Sequence, residues 1–434
     1  MSWAGAVTRW RAEWVWLGGP SAVPSAVPSV VLEASDGVLV AIEPGGAAAG
    51  AVPLRGLVLP GLVNAHSHAF HRALRGRAVG ADFWQWRNGM YGVAARLDPG
   101  SYQALATACY AEMLEAGITS VSEFHYLHQP GEMDDSVVVA ARQSGIGLVL
   151  LDACYLRAGF GNEQLAPVQQ RFSDGSVDAW AGRASEVARR HPDIVVGAAI
   201  HSVRAVDERS MATVGEWAAQ RSVPLHLHLS EQLAENAACQ AATGRTPAQV
   251  AADAGVLGPA TTAVHATHVS AGDRLLLGSA ATTACLCPTT ERDLADGVGP
   301  AAALAAAGCR LALGSDSQAV IDLFEEARAV ELDERLITGV RGAHEPTALL
   351  TAATGGRALA VGSRADFLVL SLDSARLAGF DPEAAAAHVV SSATASDVTA
   401  VYVGGRATVA DGRHQWIDTA AALRSAIGAV TGRA

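Results

Sequence analysis

The chain has 434 residues, half of them hydrophobic, and a formal net charge of −12, which allows one large buried core and disfavours nucleic acid as a partner. It contains no lysine, so a phosphate-binding loop with its lysine, a Schiff-base or pyridoxal lysine and a two-metal site bridged by carboxylated lysine are excluded by residue type. Six cysteines without a Cys-x-x-Cys pair argue against a disulfide framework or thiolate metal cluster, and neither a bilayer-length apolar run nor a signal-peptide start is present, so a cytoplasmic protein without a membrane partner is expected.

Taken in chain order, residues 30–43 alternate with period two and are broken by glycine, and the Pro-rich stretch 20–28 reads as an exposed loop. From about Leu57 to about Ala360 short β-branched or Leu-rich runs alternate with longer Ala-rich stretches of helical period. Strands are predicted at 57–65, 118–123, 146–152, 194–200, 223–229, 261–266, 282–287 and 310–315. Helices are predicted at 102–115, 177–190, 208–220, 247–254 and 300–307. Eight such alternations predict an α/β fold, a (β/α)8 TIM-type barrel over 58–360. Short alternating segments return at 365–413. They predict a small composite β domain, a β-sandwich formed by the N- and C-terminal segments 1–57 and 361–434, with no long linker.

Barrels of this type carry their chemistry at the carboxyl ends of the strands. His66 and His68 follow the first predicted strand, Glu123 to Tyr126 the second, Tyr155 the third, and His201 with Arg204 the fourth. His228 and Glu231 follow the fifth, His265 the sixth, Thr289 and Thr290 the seventh, and Asp316 the eighth. His66 and His68 stand two apart, so a strand turns both rings to one side, as a shared metal ion requires. His226 and His228 repeat the spacing; His228, nearer the mouth, is the expected ligand and His226 a packed core residue. Asp316 offers an oxygen ligand that can also take a proton, although the same spacing suits a helix N-cap. Glu231 is placed to move protons beside the metal without ligating it. Of His265 and His268, the former is closer to its strand and is expected to point inward. Imidazoles and a carboxylate that leave one position for water are the needs of a hydrolytic zinc site.

On these residues the chain resembles the amidohydrolase superfamily over nearly its whole length. The segments Leu59-Pro-Gly-Leu-Val-Asn-Ala-His66-Ser-His68-Ala-Phe, Phe83-Trp-Gln-Trp-Arg87, Glu123-Phe-His-Tyr126, His201-Ser-Val-Arg204, His228-Leu-Ser-Glu231-Gln and Gly314-Ser-Asp316-Ser resemble, more narrowly, the formimidoylglutamate deiminases of histidine degradation. The resemblance implies one divalent ion, Zn2+, held by His66, His68, His228 and Asp316. It implies catalytic roles for Glu231, His265 and Asp316 in converting N-formimidoyl-L-glutamate to N-formyl-L-glutamate and ammonia. Arg87 and Arg204 would take the carboxylates of this small dicarboxylate substrate by paired hydrogen bonds, with Tyr126 and His201 assisting. His71 stands where many relatives carry glutamine, and is a weaker substrate contact. Relatives of this kind are commonly homodimers. The competing expectation is a related deaminase acting on another amidine, a guanidino acid or an aminated heterocycle, which would want stacking residues rather than two arginines. A metal-holding barrel without catalysis would need neither Glu231 nor His265.

Overall fold

The computed structural model describes residues 7–77, 83–161 and 163–432. The N-terminal strands are β1 (Thr8–Val15), β2 (Val27–Ser35), β3 (Val38–Pro44) and β4 (Val52–Pro60). Eight parallel strands follow: β5 (Leu62–Ser67), β6 (Ile118–His125), β7 (Gly147–Cys154), β8 (Val195–Ser202), β9 (Leu225–Leu229), β10 (Thr261–His265), β11 (Thr283–Leu286) and β12 (Arg310–Leu313). They are hydrogen-bonded in sequence order, and a bridge between Ser67 and Asp316 brings the last strand back to the first. The TIM-type barrel is therefore present among the described residues.

Its layers follow from the sequence. In β9, Leu-His-Leu-His-Leu, all five residues are buried: Leu225, Leu227 and Leu229 join the main apolar core, while alternate positions carry His226 and His228 to the other face. Helices cover the outside and start where the chain supplies caps. Asp98 accepts from the Ser101 amide ahead of Pro99–Glu115, Ser176 from Ala179 ahead of Val177–Arg190, and Asp207 from Ser210 ahead of Glu208–Arg221.

The expected first barrel strand, 57–65, is two strands. β4 ends at Pro60 and β5 begins at Leu62, because at Gly61 the chain passes so close to Thr119 that a Cβ would lie 2.1 Å from its hydroxyl oxygen. β4 belongs to the flanking sheet.

That sheet also contains β13 (Phe367–Leu370), β14 (Val398–Val403), β15 (Arg406–Ala410) and β16 (Arg413–His414), in the order β16-β15-β14-β13-β4-β1-β2-β3. It is antiparallel except for the β1–β4 pair. β1 and β14 lie three strand spacings apart, about 14 Å along a flat sheet, yet the rings of Trp10 and Tyr402 are 5.5 Å apart. The sheet therefore folds over on itself, enclosing Trp10, Leu32, Val58 and Phe367 as its own core. Its C-terminal part also carries the helices Ala385–Ser392 and Thr419–Thr431. No helix among the described residues is long and apolar enough to cross a membrane.

Candidate active site

Three imidazoles and one carboxylate meet at the carboxyl end of the barrel. His66 Nε2 lies 3.3 Å from Asp316 Oδ1, and His68 Nε2 lies 3.4 Å from the same oxygen. His228 Nε2 is 3.3 Å from His68 Nε2 and 3.2 Å from His66 Nε2. β5 and β12 can approach closely enough for this because Gly314 passes His66, where a Cβ would sit 2.8 Å from its Cβ and carbonyl oxygen.

The far side of each ring decides what its near side is. His68 Nδ1 donates to the Phe124 carbonyl at 2.8 Å, and His228 Nδ1 to the His201 carbonyl at 2.8 Å. Burial, the largest influence, pulls the His66, His68 and His228 rings below their ordinary pKa, so they are neutral. A neutral ring that donates from Nδ1 presents a lone pair at Nε2. His68 and His228 thus point two lone pairs at each other across 3.3 Å, which is repulsive unless a cation lies between them. A tetrahedral ion with ligand bonds of about 2.1 Å has ligand-to-ligand edges of about 3.4 Å, and the four contacts given above, 3.2 to 3.4 Å, match that edge. The donor set fits a divalent metal.

His265 is different. A four-atom group of His66, His228, His265 and Asp316 lies within 4.8 Å, but His265 Nε2 stands back, 3.9 Å from Asp316 Oδ2 and 3.9 Å from Glu231 Oε1. Burial lowers its pKa, yet Glu231, Glu291 and Asp316 together outweigh that and hold it well above the usual imidazole value. Its Nδ1 is fixed 3.3 Å from Glu291 Oε1. A protonated ring is a poor ligand and a good donor. Glu231 is pushed up, foremost by burial, with His265 opposing. Asp316 is held well below the carboxylate range even though burial acts the other way, because His66 hydrogen-bonds it and the neighbouring rings offset the cost.

A pocket of about 190 Å³ opens over this centre. His71, Arg87, Tyr126, His201 and Arg204 line it together with Glu231, His265 and Asp316, so the expected substrate contacts and reacting groups share one cavity. Tyr126 Oη lies 2.8 Å from His71 Nε2, and burial, foremost, lowers the His71 pKa to about 3. Arg87 lies over the Tyr91 ring, 5.4 Å from its centroid. Arg204 Nη1 donates to the Ala158 carbonyl at 3.4 Å. Tyr155 lines the pocket as well. Thr289 and Thr290 hold structure instead: Thr289 bonds Glu326, and Thr290 bonds Ser317. His226 is buried with its pKa lowered to about 3 by desolvation, as a packed core ring would be. His268 is tied by Nε2 to the Asp296 carbonyl.

The sequence profile of the amidohydrolase family matches residues 57–408. The chain belongs to the amidohydrolase family. A formimidoylglutamate deiminase of Pseudomonas aeruginosa is 38% identical over 88% of the chain and 90% of its own length. An 8-oxoguanine deaminase of the same organism is 32% identical, covering 85% and 86%. The crystal structure of an adenosine deaminase from Xanthomonas campestris with bound zinc superposes with a TM-score of 0.86 at 25% identity, over 98% of each chain. Such relatives make this amidohydrolase a hydrolase of C–N bonds and a deaminase by family.

Two carboxylates in this amidohydrolase site escaped sequence reasoning. Glu235 lines the pocket, its pKa raised to about 7, foremost by burial, with Arg204 opposing; it stands four residues after Glu231, in the first turn of the helix Leu233–Thr243. Glu291, which orients His265, sits in the short helix Pro288–Asp293 after β11. Nothing in its sequence surroundings marks it.

Proposed function

We propose that this amidohydrolase hydrolyses N-formimidoyl-L-glutamate to N-formyl-L-glutamate and ammonia, as a step of histidine degradation. The observation that carries the reading is that two arginines, Arg87 and Arg204, line one cavity with Glu231, His265 and Asp316. A guanidinium pairs bidentately with a carboxylate, and a diacid of this size can span from such anchors to the reacting groups. His66, His68, His228 and Asp316 would hold a single zinc ion. When bound, that ion supplies Lewis acidity, which brings the pKa of a water from 15.7 to about 7.

The chain's own groups account for the rest. Arg87 and Arg204 orient the two carboxylates so that the amidine reaches the Glu231 side of the pocket. Asp316 takes a proton from the attacking water as the new C–O bond forms at the amidine carbon. His265, anchored by Glu291 and charged, offers Nε2–H to the oxygen on which negative charge develops. Glu231, kept protonatable by burial, carries protons to the imino nitrogen. The C–N bond then breaks, and ammonia leaves with both protons of the water.

Product analysis tests this. One equivalent each of ammonia and N-formyl-L-glutamate is expected; formamide and glutamate, or no reaction in zinc-loaded protein, would overturn it. A second reading, deamination of an aminated heterocycle, draws on the aromatic lining of Trp86, Tyr91, Tyr126, Tyr155 and Phe172 and on the 32% identical 8-oxoguanine deaminase. A flat base would stack on such rings but carries no carboxylate with which a guanidinium could make paired hydrogen bonds.

A further inference from the structure

The barrel is laddered from β5 round to β12, whereas the closing seam has one backbone bridge, in which Asp316 N–H donates to the His66 carbonyl at 3.0 Å and His68 N–H to the Asp316 carbonyl at 3.1 Å. Three of the four converging side chains hang on this thinly joined seam. The backbone there is also strained: Asp316 has φ +39° and Gln318 φ +62°. Such left-handed residues persist only where their surroundings over-determine them.

The surroundings are a chain of side-chain hydrogen bonds across the seam. Asn64 Nδ2 donates to Ser315 Oγ at 2.6 Å, and Ser315 N–H donates to Asn64 Oδ1 at 3.0 Å. Ser315 Oγ donates to Gln318 Oε1 at 2.7 Å. Gln318 Nε2 donates to Ser67 Oγ at 2.9 Å and to the Asp316 carbonyl at 3.0 Å. Ser67 Oγ donates to Glu123 Oε2 at 2.7 Å, and Glu123 Oε1 accepts from the Ala69 amide at 2.6 Å. All five side chains are fully buried, and none lines the substrate pocket. Gln318 is the one member that touches both Ser67, between His66 and His68, and the Asp316 backbone.

We infer that Gln318 is a positioning residue: its amide staples the β12–β5 seam, fixing Asp316 against His66 and His68 and thereby setting the cation affinity of the centre. Only the second half rests on the proposed zinc site. The chemistry is that of supporting hydrogen bonds, whose loss typically costs about 10–100-fold in metal affinity.

The test compares the full-length protein with Gln318→Ala and Ser67→Ala. In zinc-free protein, hydrogen exchange at the Asp316 and His68 amides should quicken about tenfold or more in each variant, while helix amides remote from the seam keep their protection. Competition with a chromophoric chelator should show zinc held about tenfold or more weakly. With zinc saturating, KM should stay within about twofold, because Gln318 lies outside the pocket. The double variant should be no worse than the more affected single one, since both cut the same chain. Native exchange at both amides in folded Gln318→Ala would overturn the inference, as would additive effects. Should Gln318→Ala not fold, Gln318→Glu keeps the acceptor for Ser315 and removes both donated bonds, and the same readings apply. If the parent protein takes up no zinc, the metal reading falls while the exchange data still decide the staple.

Discussion

Two buried clusters of histidine and aspartate lie near β6, and they solve opposite charge problems. At the barrel mouth three imidazoles surround the single carboxylate of Asp316, with the Nε2 lone pairs of His68 and His228 facing each other. The other cluster lies between β6, β7 and the helices Met133–Ser144 and Val177–Arg190, and joins His125, His128 and Asp134. There three carboxylates share one guanidinium: Arg183 bonds Asp152 at 2.7 and 2.8 Å, Asp174 at 2.7 and 2.9 Å, and Asp134 at 3.2 Å. His125 Nε2 lies 2.8 Å from Asp134, and its Nδ1 3.2 Å from the Tyr102 hydroxyl. Residue types and burial are alike, but the second cluster contains its own cation. The first must take one from solution. A His-and-Asp group is therefore read by its charge balance, not its composition.

The largest test of that contrast is ligand loss. Asp316→Asn or His228→Asn should abolish the one equivalent of bound divalent metal and with it the deaminase activity, a fall well beyond the roughly 10–100-fold cost of an outer hydrogen bond. His128→Asn should leave the metal content at one equivalent. Elemental analysis of the purified variants decides, and loss of metal in His128→Asn would move the centre to the inner cluster.

Arg183→Met should do the reverse, keeping metal and activity at low temperature while losing stability. Stranding Asp134, Asp152 and Asp174 without their guanidinium should cost about 3–5 kcal/mol, read from the urea midpoint. The pH dependence has a definite sign. Burial raises the Asp134 pKa, but hydrogen bonds from His125 and His128 and the charge of Arg183 outweigh it and hold the folded value well below 3.8. Its stabilisation is therefore present above about pH 4 and is lost as pH falls through the depressed value. In Arg183→Met the carboxylates lose that support, so the stability gap between the two proteins should be widest above about pH 4 and narrow as pH falls below it. A constant gap across that range would mean that Arg183 acts by packing alone.

Arg204→Ala carries the comparison into the pocket, where under the proposed function a guanidinium serves the ligand instead of the fold. Losing one charge-assisted pair, worth about 1.5–3 kcal/mol, should lower kcat/KM for N-formimidoyl-L-glutamate by about 10–100-fold, mostly through KM. An unchanged value, or activity transferred to an aminated purine, would favour the heterocycle reading.

Much of this was legible because barrel chemistry sits where apolar runs end. His66, His68, His228, His265 and Asp316 each follow such a run; the structure groups His66, His228, His265 and Asp316 and sets His68 against His228 and Asp316. The division of 57–65 into β4 and β5 was hidden, since one apolar run serves two sheets and only the close pass at Gly61 separates them. The helices Leu323–Thr338 and Ala385–Ser392 were missed because neither is needed to complete the eight alternations. Glu235 and Glu291 were missed for another reason: their importance lies in partners, Arg204 and His265, that are distant in sequence. Arg183 is the sharpest case, because an arginine in an amphipathic helix reads as a surface residue until the fold places three aspartates around it.

The smallest expected effect concerns His71, a histidine at the edge of the first cluster. In the sequence it stands where many relatives carry glutamine, and a histidine, unlike a glutamine, can titrate. In the structure burial dominates, lowering its pKa to about 3, and its Nε2 is held 2.8 Å from Tyr126 Oη. A ring that stays neutral throughout the working range acts only as a hydrogen-bonding group, a role that a glutamine amide can fill. His71→Gln should therefore change kcat/KM by no more than about threefold, within the net worth of one neutral hydrogen bond, and should leave the profile from about pH 6 to 9 superimposable on that of the parent. A limb near pH 6.5 that vanishes in the variant would show that substrate binding returns the ring to the titrating range, and would set His71 apart from the neutral imidazoles beside it.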